Sequence, residues 1–161
     1  MTATEKYILF LDLDGVLVDF EKGIIDLFGK SPELLSPRYM WPRLAKTPHF
    51  YDTLGWMPDG EILWRFCQPH QPVILTGMPV GKWAEPQKRS WCARELGKHI
   101  EVITCLSSQK PERAAAYDPA RTPVLVDDRE RLRGPLEDLG GVFIHHRDAQ
   151  RSIAALQELG F

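Results

Sequence analysis

Apolar and polar residues divide the chain into two recurring patterns. Tyr7-Ile8-Leu9-Phe10-Leu11 is an unbroken apolar, β-favouring run, which predicts a strand buried on both faces of a parallel sheet. Val73-Ile74-Leu75, Ile100-Glu101-Val102-Ile103, Val124-Leu125-Val126 and Val142-Phe143-Ile144 repeat the signature. Between and after them lie stretches of helical spacing, Trp83–Leu96, Arg129–Leu139 and Ala149–Leu159. Strands alternating with helices predict an α/β fold, a doubly wound, mostly parallel, five-stranded Rossmann-like sheet. In such sheets ligands bind at the carboxyl ends of the strands, where the strand order reverses. The polar residues ending each strand are therefore the candidates for chemistry.

One connection is too long for a simple crossover, which needs about a dozen residues or somewhat more. No buried-strand pattern occurs between Gly15 and Pro72. The segment opens with Phe20, Ile24, Ile25, Leu27 and Phe28 at helical spacing, stopped by Gly29, and continues with prolines 32, 37, 42, 48 and 58. It also holds Tyr39, Trp41, Phe50, Tyr51 and Trp56. We read it as a small, mainly helical cap, residues 19–70, inserted after the first strand into a core made of residues 1–18 and 71–161.

Composition narrows the function classes. The 161 residues carry 20 Lys+Arg against 22 Asp+Glu, a net charge of −2, so no global field draws the chain to nucleic acid polymers or anionic membranes. With 43% hydrophobic and 26% charged residues the chain has the balance of a folded domain. Cys67, Cys92 and Cys105 fit neither a zinc framework nor a redox pair and are expected as buried thiols. The first apolar run is too short for a membrane span or signal peptide, so a cytoplasmic protein, monomer or homodimer, is expected.

Asp12-Leu13-Asp14-Gly15-Val16 places two carboxylates two residues apart at the end of the first buried strand, so both can face one site. Two such like charges are costly unless a cation lies between them. Asp127-Asp128 ends the fourth strand in the same way. If the two strands are adjacent, these acids converge into a set of hard oxygen ligands suited to Mg²⁺. The metal-binding candidates are thus Asp12, Asp14, Asp127 and Asp128. Thr76-Gly77, ending the second strand, offers a hydroxyl and a backbone N–H to a phosphate, with Gly15 as the turn beside it. Lys110, before Pro111, is the cation expected to offset carboxylate and phosphate charge. His145 and His146 point to opposite faces of the last strand and are not expected to share a metal, while Arg129, Arg131 and Arg133 read as a solvated helix face, with support of the adjacent acidic pair as the alternative for Arg129.

Taken in order, Asp12/Asp14, Thr76, Lys110 and Asp127/Asp128 resemble the four motifs of the haloacid dehalogenase-like (HAD) phosphohydrolases, across nearly the whole chain. A closer resemblance is to the 5′(3′)-deoxyribonucleotidase branch. It is carried by Asp14-Gly15-Val16-Leu17-Val18-Asp19-Phe20-Glu21, Phe50-Tyr51, Trp56-Met57-Pro58-Asp59-Gly60, Lys88, Trp91 and Val126-Asp127-Asp128-Arg129. The sequence departs from that branch at Gly77, where serine is usual.

The resemblance implies a Mg²⁺-dependent phosphatase acting on a small phosphorylated metabolite, with a nucleoside monophosphate favoured. Catalytic residues would be Asp12 as nucleophile, forming an aspartyl-phosphate, Asp14 as proton donor and acceptor, and Thr76 and Lys110. Phosphate and substrate would be held by Gly15, Thr76, Gly77 and Lys110, with the base stacked on Phe20, Trp41, Phe50 or Trp56. A sugar-phosphate or other metabolite phosphatase, and a non-catalytic Mg²⁺-binding regulatory module, are the alternatives at this point. Those aromatics could equally form the packed interior of the cap.

Overall fold

The computed structural model describes residues 1–161. A short helix α1 (Ala3–Lys6) leads into strand β1 (Tyr7–Leu11), followed by α2 (Phe20–Phe28), α3 (Pro37–Ala45) and α4 (Gly60–Cys67). Then come β2 (Val73–Gly77), α5 (Ala84–Glu95), β3 (Val102–Cys105), α6 (Lys110–Tyr117) and β4 (Thr122–Asp127). The chain ends with α7 (Arg133–Asp138), β5 (Val142–His145) and α8 (Ala149–Glu158). All strand pairings are parallel, in the order β3-β2-β1-β4-β5.

Every residue of β1 is buried, as its two-sided apolar run predicts. Leu9, Leu11, Ile74, Val124 and Val126 point to one face and pack with α4, α5, α8 and the segment after β1. Ile8, Phe10, Val73, Leu75 and Leu125 point to the other and pack with α6 and α7. Removing such a side chain from water is worth roughly 1.5–3 kcal/mol. The buried alternation therefore fixes the register strongly, since a one-residue slip would exchange the two faces. No helix is long and apolar enough to cross a membrane.

Two elements differ from the sequence expectation. The third strand starts at Val102 rather than Ile100, pairing Ile74 with Val102 and Gly77 with Cys105. Ile100 is held in a turn by its N–H donating to Gly97, and Thr104 and Cys105 lack the strongly apolar character that marks the other strands. The expected Arg129–Leu139 helix is broken into a 3₁₀ turn at Glu130–Leu132 and α7. Pro135 has no N–H to continue a helix from Arg131, so it is tolerated only in the first turn of a new one.

The segment after β1 supplies α2 and α3. Asp19 caps α2, its side chain accepting from the Lys22 N–H at 3.0 Å, and Gly29 ends that helix at φ 72°. Ser36 and Pro37 open α3. Helix α4 packs against α8 and returns the chain to β2. Cys67, Cys92 and Cys105 are free and buried, and burial pushes the Cys67 and Cys92 thiols up to about 12.

Candidate active site

The chain leaves β1 toward β2 and β3 on one side of the sheet, and runs from β4 to β5 on the other. The crevice beyond β1 and β4 is therefore the point where strand order reverses. Leu11 pairs with Val126, and the Asp12 N–H donates to the Val126 carbonyl at 3.1 Å, so the acids that follow each strand emerge side by side. Asp12, Asp127 and Asp128 each present a carboxylate oxygen, all within 4.8 Å of one another.

Lys110, the first residue of α6, enters this group from the β3 side and is only 1% exposed. Its Nζ donates to Asp12 Oδ1 at 2.8 Å and to Asp127 Oδ2 at 2.7 Å. Asp12 Oδ1 also accepts from the Leu13 N–H at 2.8 Å, leaving Oδ2 as the free oxygen of that carboxylate. Asp127 Oδ1 accepts from the Arg129 N–H at 2.9 Å. Burial and the charge on Asp12 push Asp127 up to about 6. Asp128 is exposed at the mouth of the crevice yet recessed among its walls. That setting, reinforced by Asp12 and Asp127, pushes its carboxyl up to about 8.

After Asp14 the backbone turns tightly, with Gly15 N–H donating to Val18 O at 2.9 Å and Gly15 at φ +81°. A Cβ at Gly15 would lie 2.2 Å from Asp128 Oδ2, so only glycine allows the two acidic segments to approach this closely. Asp14 Oδ2 accepts from Lys88 Nζ at 2.9 Å, while its Oδ1 is buried without a partner. Asp12, Asp14, Gly15, Gly77, Lys110 and Asp128 line one cavity of about 310 Å³, together with Phe20, Trp41, Ser107 and Arg129.

Thr76 does not line this cavity. It is fully buried beneath it, its hydroxyl accepting from Lys88 Nζ at 3.0 Å. Gly77 does line it, and a Cβ there would meet Ser107 Cβ at 3.3 Å, so a serine at 77 would crowd the Ser107 hydroxyl already at the wall.

The expected aromatic residues separate into two groups. Phe20 and Trp41 line the cavity, stacked on each other at 6.0 Å. Phe50 and Trp56 do not, which corrects their expected place at the site. Phe50 is buried against Phe20 and Tyr51 and Trp56 packs on Trp91, and both border a separate groove behind Asp19. Their segment is tied down from α5, where Trp91 Nε1 donates to Leu54 O at 2.9 Å, so the rings turn toward the core.

Arg129, expected on a solvated helix face or as a support of the acidic pair, lies at the cavity wall, its N–H donating to Asp127 Oδ1 and its side chain to Ser107 Oγ at 3.0 Å. Sequence reading missed two further contributors. Tyr51 and Trp83, stacked at 5.5 Å, line an adjoining hollow of about 510 Å³ that shares Asp14, Trp41, Gly77, Ser107 and Arg129 with the first. Their aromatic character was visible in the sequence, but their direction follows from the tie of the Tyr51 N–H to Gln87 on α5, which brings the two rings together.

The donor set fits a hard divalent cation: three carboxylates within reach of one point, two of them holding protons above their ordinary range. A stability prediction follows. Folded protein without metal binds protons at Asp127 and Asp128 more tightly than the unfolded chain. The stability they contribute is therefore present below about pH 4 and is lost as pH rises through their folded values toward about 8. A cation that replaces those protons is expected to raise the melting temperature more at pH 8 than at pH 5. Thermal melts with Mg²⁺ and with chelator at both pH values check this, and equal shifts would count against a metal at this cluster.

No family model matches the chain, and no curated protein matches it in sequence. The fold is that of the haloacid dehalogenase-like hydrolases. A crystal structure assigned as a haloacid dehalogenase-like hydrolase from Burkholderia xenovorans LB400 superposes with a TM-score of 0.56 at 16% identity, covering 92% of this chain and 85% of its own. A HAD family enzyme from Bacteroides thetaiotaomicron, solved as a magnesium complex, gives 0.50 at 14% identity, covering 89% and 94%. At these identities the likeness is one of fold.

Proposed function

We propose that the protein is a Mg²⁺-dependent phosphomonoester hydrolase whose favoured substrate is a nucleoside monophosphate. The observation that carries this reading is the convergence of Asp12, Asp127 and Asp128 at the reversal point of the sheet, with Lys110 between two of them and Asp14 beside them. A site that only held a metal would need neither the buried lysine nor the second aspartate, which disfavours a non-catalytic module.

Asp12 Oδ2 attacks phosphorus in line, forming an aspartyl-phosphate as the bond to the leaving oxygen breaks. Asp14 gives its proton to that oxygen. In the second half Asp14, now a carboxylate, takes a proton from water as the water oxygen attacks phosphorus and the bond to Asp12 breaks. Lys110 spends two of its three hydrogens on Asp12 and Asp127 and has one left for a phosphoryl oxygen. The Gly77 N–H is the remaining donor from β2, while the Thr76 hydroxyl, fully buried beneath the cavity, accepts from Lys88 instead. Asp12, Asp127, Asp128 and the main-chain carbonyl of Asp14 would hold Mg²⁺, which supplies neutralisation of phosphoryl charge when bound.

The base would occupy the adjoining hollow, against Trp41, Tyr51 and Trp83. Stacking of a base on an aromatic ring is worth roughly 1–3 kcal/mol. Trp41→Leu is therefore expected to raise KM for a nucleoside monophosphate by about tenfold or more and to change p-nitrophenyl phosphate hydrolysis little. Equal losses on both would contradict the stacking role.

Phosphate release across nucleoside monophosphates and sugar phosphates, with Mg²⁺ and with chelator, tests the proposal as a whole. Preference for sugar phosphates would replace the nucleotide by another metabolite, and failure to release phosphate from any of them would remove the phosphatase reading.

A further inference from the structure

Ser107 carries the only side-chain hydroxyl on the wall of the catalytic cavity, and no step above uses it. It lies in the turn between β3 and α6, and it also borders the hollow formed by Trp41, Tyr51 and Trp83. Its carbonyl accepts from the Lys110 N–H, which commits the backbone to the turn, while its side chain caps nothing. The Oγ makes one hydrogen bond within the protein, with Arg129 Nη1 at 3.0 Å. A guanidinium can only donate, so the serine oxygen is the acceptor and the hydroxyl hydrogen has no protein partner. Arg129 is itself fixed, its N–H donating to Asp127 Oδ1 at 2.9 Å, so the direction of Ser107 is set from the acidic end of β4.

Gly77 stands against this serine. It pairs with Cys105 across β2 and β3, two residues before Ser107. A Cβ at Gly77 would lie 3.3 Å from Ser107 Cβ and 3.4 Å from its Oγ. Gly77 does not have a positive φ, so the backbone alone does not demand glycine there. What the missing side chain leaves is room for Ser107 beside the Gly77 N–H.

We propose that Ser107 is a phosphoryl-binding residue, its hydroxyl donating to the same non-bridging phosphoryl oxygen as the Gly77 N–H and filling the space that a side chain at position 77 would take. This rests on the phosphatase reading and adds to it a neutral donor from the turn after β3. A hydroxyl that accepts from a cation is polarised into a better donor, so Arg129 strengthens the contact through Ser107. Because the contact is to the phosphoryl group, it serves every ester alike, unlike the stacking of Trp41.

The test removes the hydroxyl and then moves it. With Mg²⁺ present, Ser107→Ala is expected to lower kcat/KM about tenfold or more, by the same factor on a nucleoside monophosphate and on p-nitrophenyl phosphate, as loss of a hydrogen bond to a charged group does. Unchanged kcat/KM, or a loss confined to the nucleotide, would overturn the assignment. Ser107→Gly is expected to lose as much, and Gly77→Ser added to it sets a hydroxyl into the same space from β2. That double variant is expected to be at least about threefold more active than Ser107→Gly, whereas Gly77→Ser alone, which crowds Ser107, is expected to lose activity. A smaller recovery would overturn the proposal, since a serine that only shaped the turn could not be replaced from another strand. Thermal melts with inorganic phosphate keep the test independent of turnover and of how the double variant folds. Phosphate is expected to raise the melting temperature of Ser107→Ala less than that of the wild type, and equal shifts would overturn the contact. Failure of the wild type to hydrolyse either ester would remove the phosphatase reading instead, leaving the phosphate melts to decide Ser107 by themselves.

Discussion

Replacing Asp12 with asparagine is expected to lower turnover by about 10⁴-fold or more while leaving the fold intact. The carboxamide keeps an oxygen to accept from Lys110 and the Leu13 N–H, so the contacts at Oδ1 survive. It has no anionic oxygen to attack phosphorus, and loss of a covalent nucleophile is among the largest single effects known for hydrolases. Asp12 attracts Lys110 at 2.8 Å and at the same time contributes to the upward push on Asp127 and Asp128, so neutralising it removes one attraction and relieves two repulsions. Asp12→Asn, in which Lys110 keeps its pairing with Asp127, is therefore expected to melt close to the wild type in chelator and to respond less to Mg²⁺. Steady-state kinetics and thermal melts on the purified variant check both halves. Turnover within about tenfold of the wild type would remove Asp12 from the nucleophile's place.

Lys110→Met has the opposite signature, a large loss of stability. The lysine is 1% exposed between Asp12 at 4% and Asp127 at 0%, and its attachment to the two carboxylates holds its own proton more tightly than an ordinary lysine does, against the opposing effect of burial. Removing one partner of a buried ion pair typically costs about 3–5 kcal/mol, because the remaining charge is left uncompensated. For a chain of this length that corresponds to a fall of roughly 6–20 °C in melting temperature. The loss is expected to be larger at pH 8 than at pH 5, since Asp127, pushed up to about 6, is protonated at the lower pH and then needs no cation. Melts at both pH values in chelator check it. An unchanged melting temperature at pH 8 would mean that the two aspartates do not depend on the lysine.

What the sequence disclosed depended on how each residue earns its place. Asp12 and Asp127 follow runs so apolar that the strands, and the acids ending them, could be read directly. Once β1 and β4 are neighbours, their convergence is a matter of register. Lys110 was visible because it opens a helix just past the third strand. Lys88 could not be read this way. Its helix, Ala-Glu-Pro-Gln-Lys-Arg-Ser-Trp-Cys-Ala-Arg-Glu, is polar and lacks a clean apolar stripe, so nothing local distinguishes a lysine buried against Asp14 from one in solvent. The resemblance to nucleotidases included Lys88 but gave it no task. The aromatic content of the inserted segment was equally plain, yet which rings face the site follows from long-range ties such as Trp91 to Leu54. Phe50 and Trp56 were thus indistinguishable in sequence from Trp41.

The central claim, that Asp12 carries the phosphoryl group between two half-reactions, is tested most directly by quenching the protein in acid during turnover with Mg²⁺ and a phosphomonoester, then mapping phosphorylation by mass spectrometry. The account predicts an acid-stable, base-labile phosphoryl group on the peptide containing Asp12, absent from Asp12→Asn and from protein kept in chelator. Rapid turnover with no phosphorylated Asp12 peptide, or the same adduct on a peptide that lacks Asp12, would contradict it.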